Sequence, residues 1–192
     1  MNQPLNAACF SDPHWLVIAR GFDTERWFED GQAIGTGGIL MPQPVHLRAG
    51  QRYYRFVSST SSREAQLGGG WWIDFENFRL IESFAREHGH SLSDAARLFL
   101  ALPYDWTRVD RLVHAILAVP LKAYAGQGKQ VELKGRASAP HHGTTWTPLQ
   151  HRRAQQLYIP GLYIRGSRPR EQLFHQAFPK PILEYISNRR AV

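Results

Sequence analysis

The sequence predicts an α+β fold, with short β-strands flanking a three-helix block. Three observations predict it. Residues 1–66 break into short apolar runs closed by glycine and proline, residues 74–120 carry apolar residues at helical spacing, and residues 121–192 return to short β-branched and aromatic runs. Strands, then helices, then strands in chain order mark α+β rather than an alternating parallel fold. At 192 residues the chain can bury a sizeable core, and 43% hydrophobic with 20% charged residues is ordinary for a folded soluble protein. Residues 1–50 form a β-like segment, read either as a partner-binding arm or as extra strands of the same sheet. Residues 51–192 form an α+β domain.

The elements follow in order. HWLVIARGF (14–22) is an apolar run closed by glycine and reads as a strand. GQAIGTGGILMPQPVHL (31–47) mixes glycine turns with short apolar pieces, and RYYRFVSSTSS (52–62) is aromatic and β-branched before it runs into hydroxyls. DFENFRLIESFAREHG places Phe75, Phe78, Ile81, Phe84 and Ala85 on one helical stripe, with Asp74 to cap its start and Gly89 to end it. SLSDAARLFLALP predicts a second helix, with Ser91 as its cap, Asp94 three residues on and Pro103 closing it. DWTRVDRLVHAILAVP predicts a third, whose stripe is Val109, Leu112, Val113, Ile116 and Leu117, with His114 at its boundary. LKAYAGQGKQVEL reads as a strand or hairpin in which AGQGKQV is the turn, since it lacks the spacing of a nucleotide phosphate loop. RASAPHHGTTWTPLQHRR is a polar loop, RAQQLYIPGLYIR a strand interrupted at Pro160-Gly161, and the tail EQLFHQAFPKPILEYISN is apolar enough to dock on the core.

Charge and composition bound the function. The formal net charge is +7 and the isoelectric point near 9.9, which favours polyanionic ligands. Arg152, Arg153, Arg165, Arg168, Arg170, Lys180, Arg189 and Arg190 gather towards the C-terminus without forming a continuous block. They support an alternative reading as a non-catalytic basic binding module for nucleic acid or an acidic protein partner. Cys9 is the single cysteine, so no intrachain disulfide forms; near a mobile N-terminus it reads as inert. The first residues lack a charged and then apolar leader, and no run is long enough to span a bilayer. The expected location is the cytoplasm, or outside the cell by a route that reads no N-terminal signal. His141, His142 and His151 lack acidic or thiol neighbours at ligand spacing, so no metal is expected.

Three pieces gain meaning together: YYRFVSSTSS, LGGGWW before a helix, and QQLYIPG. In that order they resemble the ADP-ribosyltransferase fold of NAD-consuming toxins and effectors. Its sites open on an aromatic-Arg strand, continue through a Ser/Thr-rich or Gly-aromatic strand, and close on a late strand bearing a catalytic residue. The resemblance covers residues 52–162 and matches Tyr54-Arg55, then Ser59-Thr60-Ser61 or Gly68-Gly69-Gly70-Trp71-Trp72, then Gln156-Leu157-Tyr158-Ile159-Pro160. It implies a split sheet and cleavage of the nicotinamide–ribose bond of NAD. The bond would be cleaved by hydrolysis or by ADP-ribosyl transfer to a macromolecular acceptor. It also implies a bacterial toxin or effector, with a cognate immunity protein as a further partner. Arg55 and Gln156 are the implied catalytic pair. Tyr54, Ser59, Thr60, Gly70, Trp71 and Trp72 are the implied NAD contacts, with Trp72 favoured as the stacking ring.

The chemistry suits those residue types. A guanidinium grips a pyrophosphate through paired charge-assisted bonds. An indole face attracts the nicotinamide cation. The departure is Gln156, where the family usually has Glu. An amide can hold ribose hydroxyls, but it cannot take a proton as a general base. Water attacking an oxocarbenium-like ribose needs little such help, so Gln156 favours hydrolysis over transfer.

Overall fold

A computed structural model describes residues 3–21, 37–104, 107–132, 145–146, 149, 154–162 and 168–186. The fold is α+β. Seven antiparallel strands form one sheet in the order β1-β5-β8-β3-β2-β4-β9. They are β1 (Ile39–Leu47), β2 (Arg52–Val57), β3 (Trp71–Asp74), β4 (Arg111–Ile116), β5 (Leu121–Gly128), β8 (Gln155–Tyr158) and β9 (Ile182–Tyr185). Two residues each of β6 (Val131–Glu132) and β7 (Thr145–Trp146) pair separately.

Helices cover both faces of the sheet. On one face, α1 (Pro13–Arg20) lies over Ile39, Tyr124 and Tyr158, while α3 (Phe75–His88) and α4 (Leu92–Leu100) lie over Tyr54, Ile73 and Leu112. On the other face, α5 (Arg168–Ala177) and the residue after it bury Phe174, Ala177 and Phe178 against Trp72, Leu157 and Val113. A five-residue helix, α2 (Arg63–Leu67), follows β2. The apolar tail does dock, by way of these α5 contacts.

The two helices α3 and α4 form as their sequences predict. Asp74 accepts from the Asn77 backbone at 2.8 Å, Gly89 ends α3 at φ 64°, and Ser91 accepts from the Asp94 backbone at 3.0 Å. Phe78, Ile81, Phe84 and Ala85 are buried as the stripe requires, while Phe75 stays exposed.

Two elements depart from expectation. The predicted third helix is strand β4, so the helical block holds two helices. Residues 109–117 are apolar enough to be buried on both faces, and periodicity alone cannot separate that from a buried helix. Six residues of β2 decide it, pairing from Arg52↔Ile116 to Val57↔Arg111. His114, placed at a helix boundary by sequence, instead bonds Glu184 of β9 at 3.0 Å. The run HWLVIARGF, expected as a strand, is α1. Asp12 caps it, accepting from the His14 backbone at 2.9 Å, Pro13 sits in the first turn, and Gly21 closes it at φ 75°. These signals outweigh the β-branched Val17 and Ile18.

The N-terminal segment is anchored, contrary to its expected mobility. Buried Asn6 donates to the carbonyls of Lys122 and Pro160 at 2.8 and 3.0 Å and accepts from the Lys122 backbone at 2.8 Å. Residues 39–47 contribute the edge strand of the same sheet that residues 51–192 build. The polar loop histidines and the second half of the interrupted strand, residues 163–165, lie outside the described residues. No helix among the described residues is long and apolar enough to cross a membrane.

Candidate active site

The pairing of β3 changes partner along its length. Trp71 and Trp72 pair with Tyr158 and Leu157 of β8, whereas Ile73 and Asp74 pair with Tyr54 and Tyr53 of β2. Each neighbour therefore leaves β3 after two residues. The next residues in register at the two forks are Arg55 on β2 and Gln156 on β8. The helices hold β8 where it has left β3: Asn77 of α3 accepts from the Gln155 backbone at 2.7 Å, and the Gln156 amide nitrogen donates to the Leu100 carbonyl of α4 at 3.1 Å.

A cavity of about 480 Å³ opens over these forks, within the range of small-molecule sites. Its walls include Tyr54, Arg55, Phe56, Trp71, Trp72, Ile73 and Gln156 from the sheet. Ile18 and Gly21 at the end of α1, and Leu100, Ala101 and Leu102 at the end of α4, supply the rim, with Gly37, Gly38, Lys129 and Val131. The cavity thus lies where the strands fork, between the ends of α1 and α4.

Arg55 is half-buried, and its guanidinium donates to the Gly68 carbonyl. A Cβ at Gly69 would fall on that guanidinium, and Gly69 has φ 129°, so glycine is required for the close approach. Gln156 is half-buried. Its amide nitrogen is tied to Leu100, and its carbonyl oxygen is neither bonded among the described residues nor buried without a partner. The oxygen is therefore the accessible end of the amide dipole.

Several expected contacts are spent on the fold: Trp72 and Tyr54 reach the cavity wall but are engaged in packing, and Ser59, Thr60 and Gly70 do not line it. Trp72 was favoured as the stacking ring, but it is 1% exposed: it stacks on Phe178 at 4.6 Å and donates its indole N–H to Gly69 at 2.8 Å. Neighbouring residues on a strand face opposite ways, and Trp72 faces the core. Trp71 is the half-buried indole, set 5.0 Å from the Tyr158 ring on the cavity side. Ser59 and Thr60 do not line the cavity. Ser59 gives its backbone N–H, at 2.7 Å, and its hydroxyl to Asp110, and Thr60 bonds Ser58 at 2.7 Å, so both build the turn after β2. Burial raises the Asp110 carboxyl, but the two Ser59 bonds and Arg108 outweigh it and hold it below the ordinary carboxylate value. Gly70 is buried; a Cβ there would meet the Tyr158 ring at 2.6 Å, so its smallness serves strand packing. Tyr54 touches the cavity but spends its ring face on Phe78, stacked at 4.0 Å.

Sequence reading missed Lys129 and the Leu100–Leu102 turn. Lys129 sits where β5 turns into β6, in the stretch recognised only as a hairpin turn. Burial, then nearby Arg20, lowers its pKa from the ordinary lysine value. The α4 exit had a sequence signal in Pro103, since helices end before a proline; Ala101 takes the left-handed cap at φ 48°. Among the described residues no cluster of three or more His, Cys, Asp or Glu could hold a metal.

No family model matches the chain, and no curated protein matches it. Among solved structures, one of Tne2 in complex with Tni2 is similar at 14% identity and a TM-score of 0.36, covering 67% of this chain and 84% of that one. A likeness that distant carries no inference about the fold or activity of this chain.

Proposed function

We propose that the cavity binds NAD and cleaves its nicotinamide–ribose bond, with water as the acceptor. The observation that carries this reading is that Arg55, Trp71 and Gln156 line one cavity although about a hundred residues separate the first from the last. The divided pairing of β3 supports the split sheet that the ADP-ribosyltransferase resemblance implies.

In this reading the Arg55 guanidinium, placed at the cavity wall, holds a phosphate. Trp71 faces the nicotinamide ring, whose positive charge its indole attracts. As the glycosidic C–N bond breaks, the bonding pair leaves with nicotinamide, and positive charge builds on the ribose. The Gln156 carbonyl oxygen, aimed by the Leu100 bond, accepts from a ribose hydroxyl and faces that charge with its negative dipole end. Water then bonds to the anomeric carbon and loses its proton to solvent, because glutamine cannot take it. The same resemblance supports a toxin or effector role, with an immunity protein as partner.

The test is incubation of purified protein with NAD, followed by separation of nicotinamide, ADP-ribose and labelled macromolecules. Nicotinamide and free ADP-ribose are expected in equal amounts. Gln156→Ala is expected to keep the wild-type melting temperature and to lose about 100-fold or more in rate, the size of one lost transition-state contact. Equal nicotinamide release by wild type and variant would remove Gln156 from the reaction.

A further inference from the structure

We propose that Lys129 is a second phosphate-binding cation of the cavity, so that a diphosphate is held between the β5–β6 turn and the β2–β3 fork rather than by Arg55 alone. The inference rests on the NAD reading for its ligand, a dinucleotide diphosphate. It does not rest on bond cleavage.

Position is the first argument. Lys129 and Arg55 both line the cavity, yet they come from different parts of the sheet. In the strand order, β5 and β2 stand on either side of β8 and β3. Three strand spacings separate them, about 14 Å, with Gln156 between. A ligand reaching over Gln156 therefore meets a cation on each flank.

Rigidity is the second. The Lys129 backbone N–H donates to the Gly38 carbonyl at 2.8 Å, and Val131, two residues on, is 2% exposed. The root of the side chain is fixed while its four-carbon stem can adjust. That suits a point charge meeting a phosphate more than it suits a shape-selective fork.

Charge balance is the third. The described residues lining the cavity include Arg55 and Lys129 and no carboxylate. Arg20, at the end of α1, adds like charge beside Lys129, and partial burial adds to the cost of keeping the ammonium ionised. Positive charge gathered in this way attracts a dianion. Arg55 is also partly engaged by Gly68, so one guanidinium alone offers a diphosphate fewer than its five donors.

The experiment compares wild type, K129Q and K129R. Binding of ADP-ribose and of inorganic pyrophosphate is measured by calorimetry, the KM for NAD by nicotinamide release, and the fold by thermal melting. K129Q is expected to melt like wild type and to weaken ADP-ribose binding by about 10- to 100-fold, the value of one charge-assisted bond. The loss should fall on KM rather than kcat. K129R should recover affinity to within about threefold of wild type, since it restores the charge. If wild type binds ADP-ribose in a Lys129-dependent way but releases no nicotinamide, the cleavage reading fails and the anchor stands. If nicotinamide is released with a KM indifferent to K129Q, the anchor is overturned and cleavage stands. Wild type binding neither probe, or K129R binding as poorly as K129Q at equal melting temperature, also overturns the anchor.

Discussion

Adjacent tryptophans divide their labour because a strand turns successive side chains to opposite faces. Trp72 fills the core against Phe178, and Trp71 stands half-buried on the cavity side. The two should therefore fail differently. Trp72→Ala would leave a large void and is expected to cost about 3–5 kcal/mol of stability, read as a lower urea midpoint. Trp71→Ala should shift that midpoint much less while weakening retention of NAD, read by calorimetry. Equal stability losses would remove the division. Gln156 shows the same logic on a smaller scale: the Leu100 bond decides which end of a symmetric-looking amide stays accessible.

Among the elements, the turn that leaves α4 needs the most support, because it carries cavity residues and a left-handed Ala101. Arg97 supplies that support from within the fold. It is 4% exposed, donates to the Leu102 and Thr107 carbonyls at 2.9 and 2.7 Å, and lies 3.8 Å over the Tyr104 ring. Burial lowers its pKa, while Tyr104, Asp94 and Asp110 oppose that shift. A lysine cannot reach two carbonyls with one ammonium while stacking on a ring. Arg97→Lys is accordingly expected to cost about 2 kcal/mol in chemical denaturation, the worth of a charged hydrogen bond lost in the interior. A change within experimental error would mean the turn holds itself.

For the molecule as a whole, Asp110 ties the sheet to the loops above it through Ser59, and this makes stability depend on acid. Its folded pKa lies below the unfolded value, so the folded state binds fewer protons through that interval. Its contribution is complete above the unfolded carboxylate value of about 4 and is lost as pH falls through the folded value. Asp110→Asn should be less stable than wild type at neutral pH, with a gap that narrows as pH drops below about 4. Urea midpoints measured at pH 7 and pH 3 decide it, and a gap of constant size would assign the stabilisation to another group.

Local chemistry was legible in the chain. Asp74 and Ser91 announce their helices because a capping oxygen acts within three residues, and the α3 stripe announces its buried face. Arg55, Trp71 and Gln156 were legible as residue types suited to one dinucleotide. Pairing was not legible. Whether residues 111–116 coil or extend depends on β2, over fifty residues earlier, and the same apolar run satisfies either state alone. The sequence by itself determined the α+β class, the caps and the candidate chemistry, since those follow from interactions along a few residues. Only the tertiary structure decided that β3 changes partners, that Trp71 rather than Trp72 is the half-buried indole, and that Lys129 joins Arg55 at the cavity. Those outcomes depend on contacts between distant segments, whose energies no short stretch of chain contains.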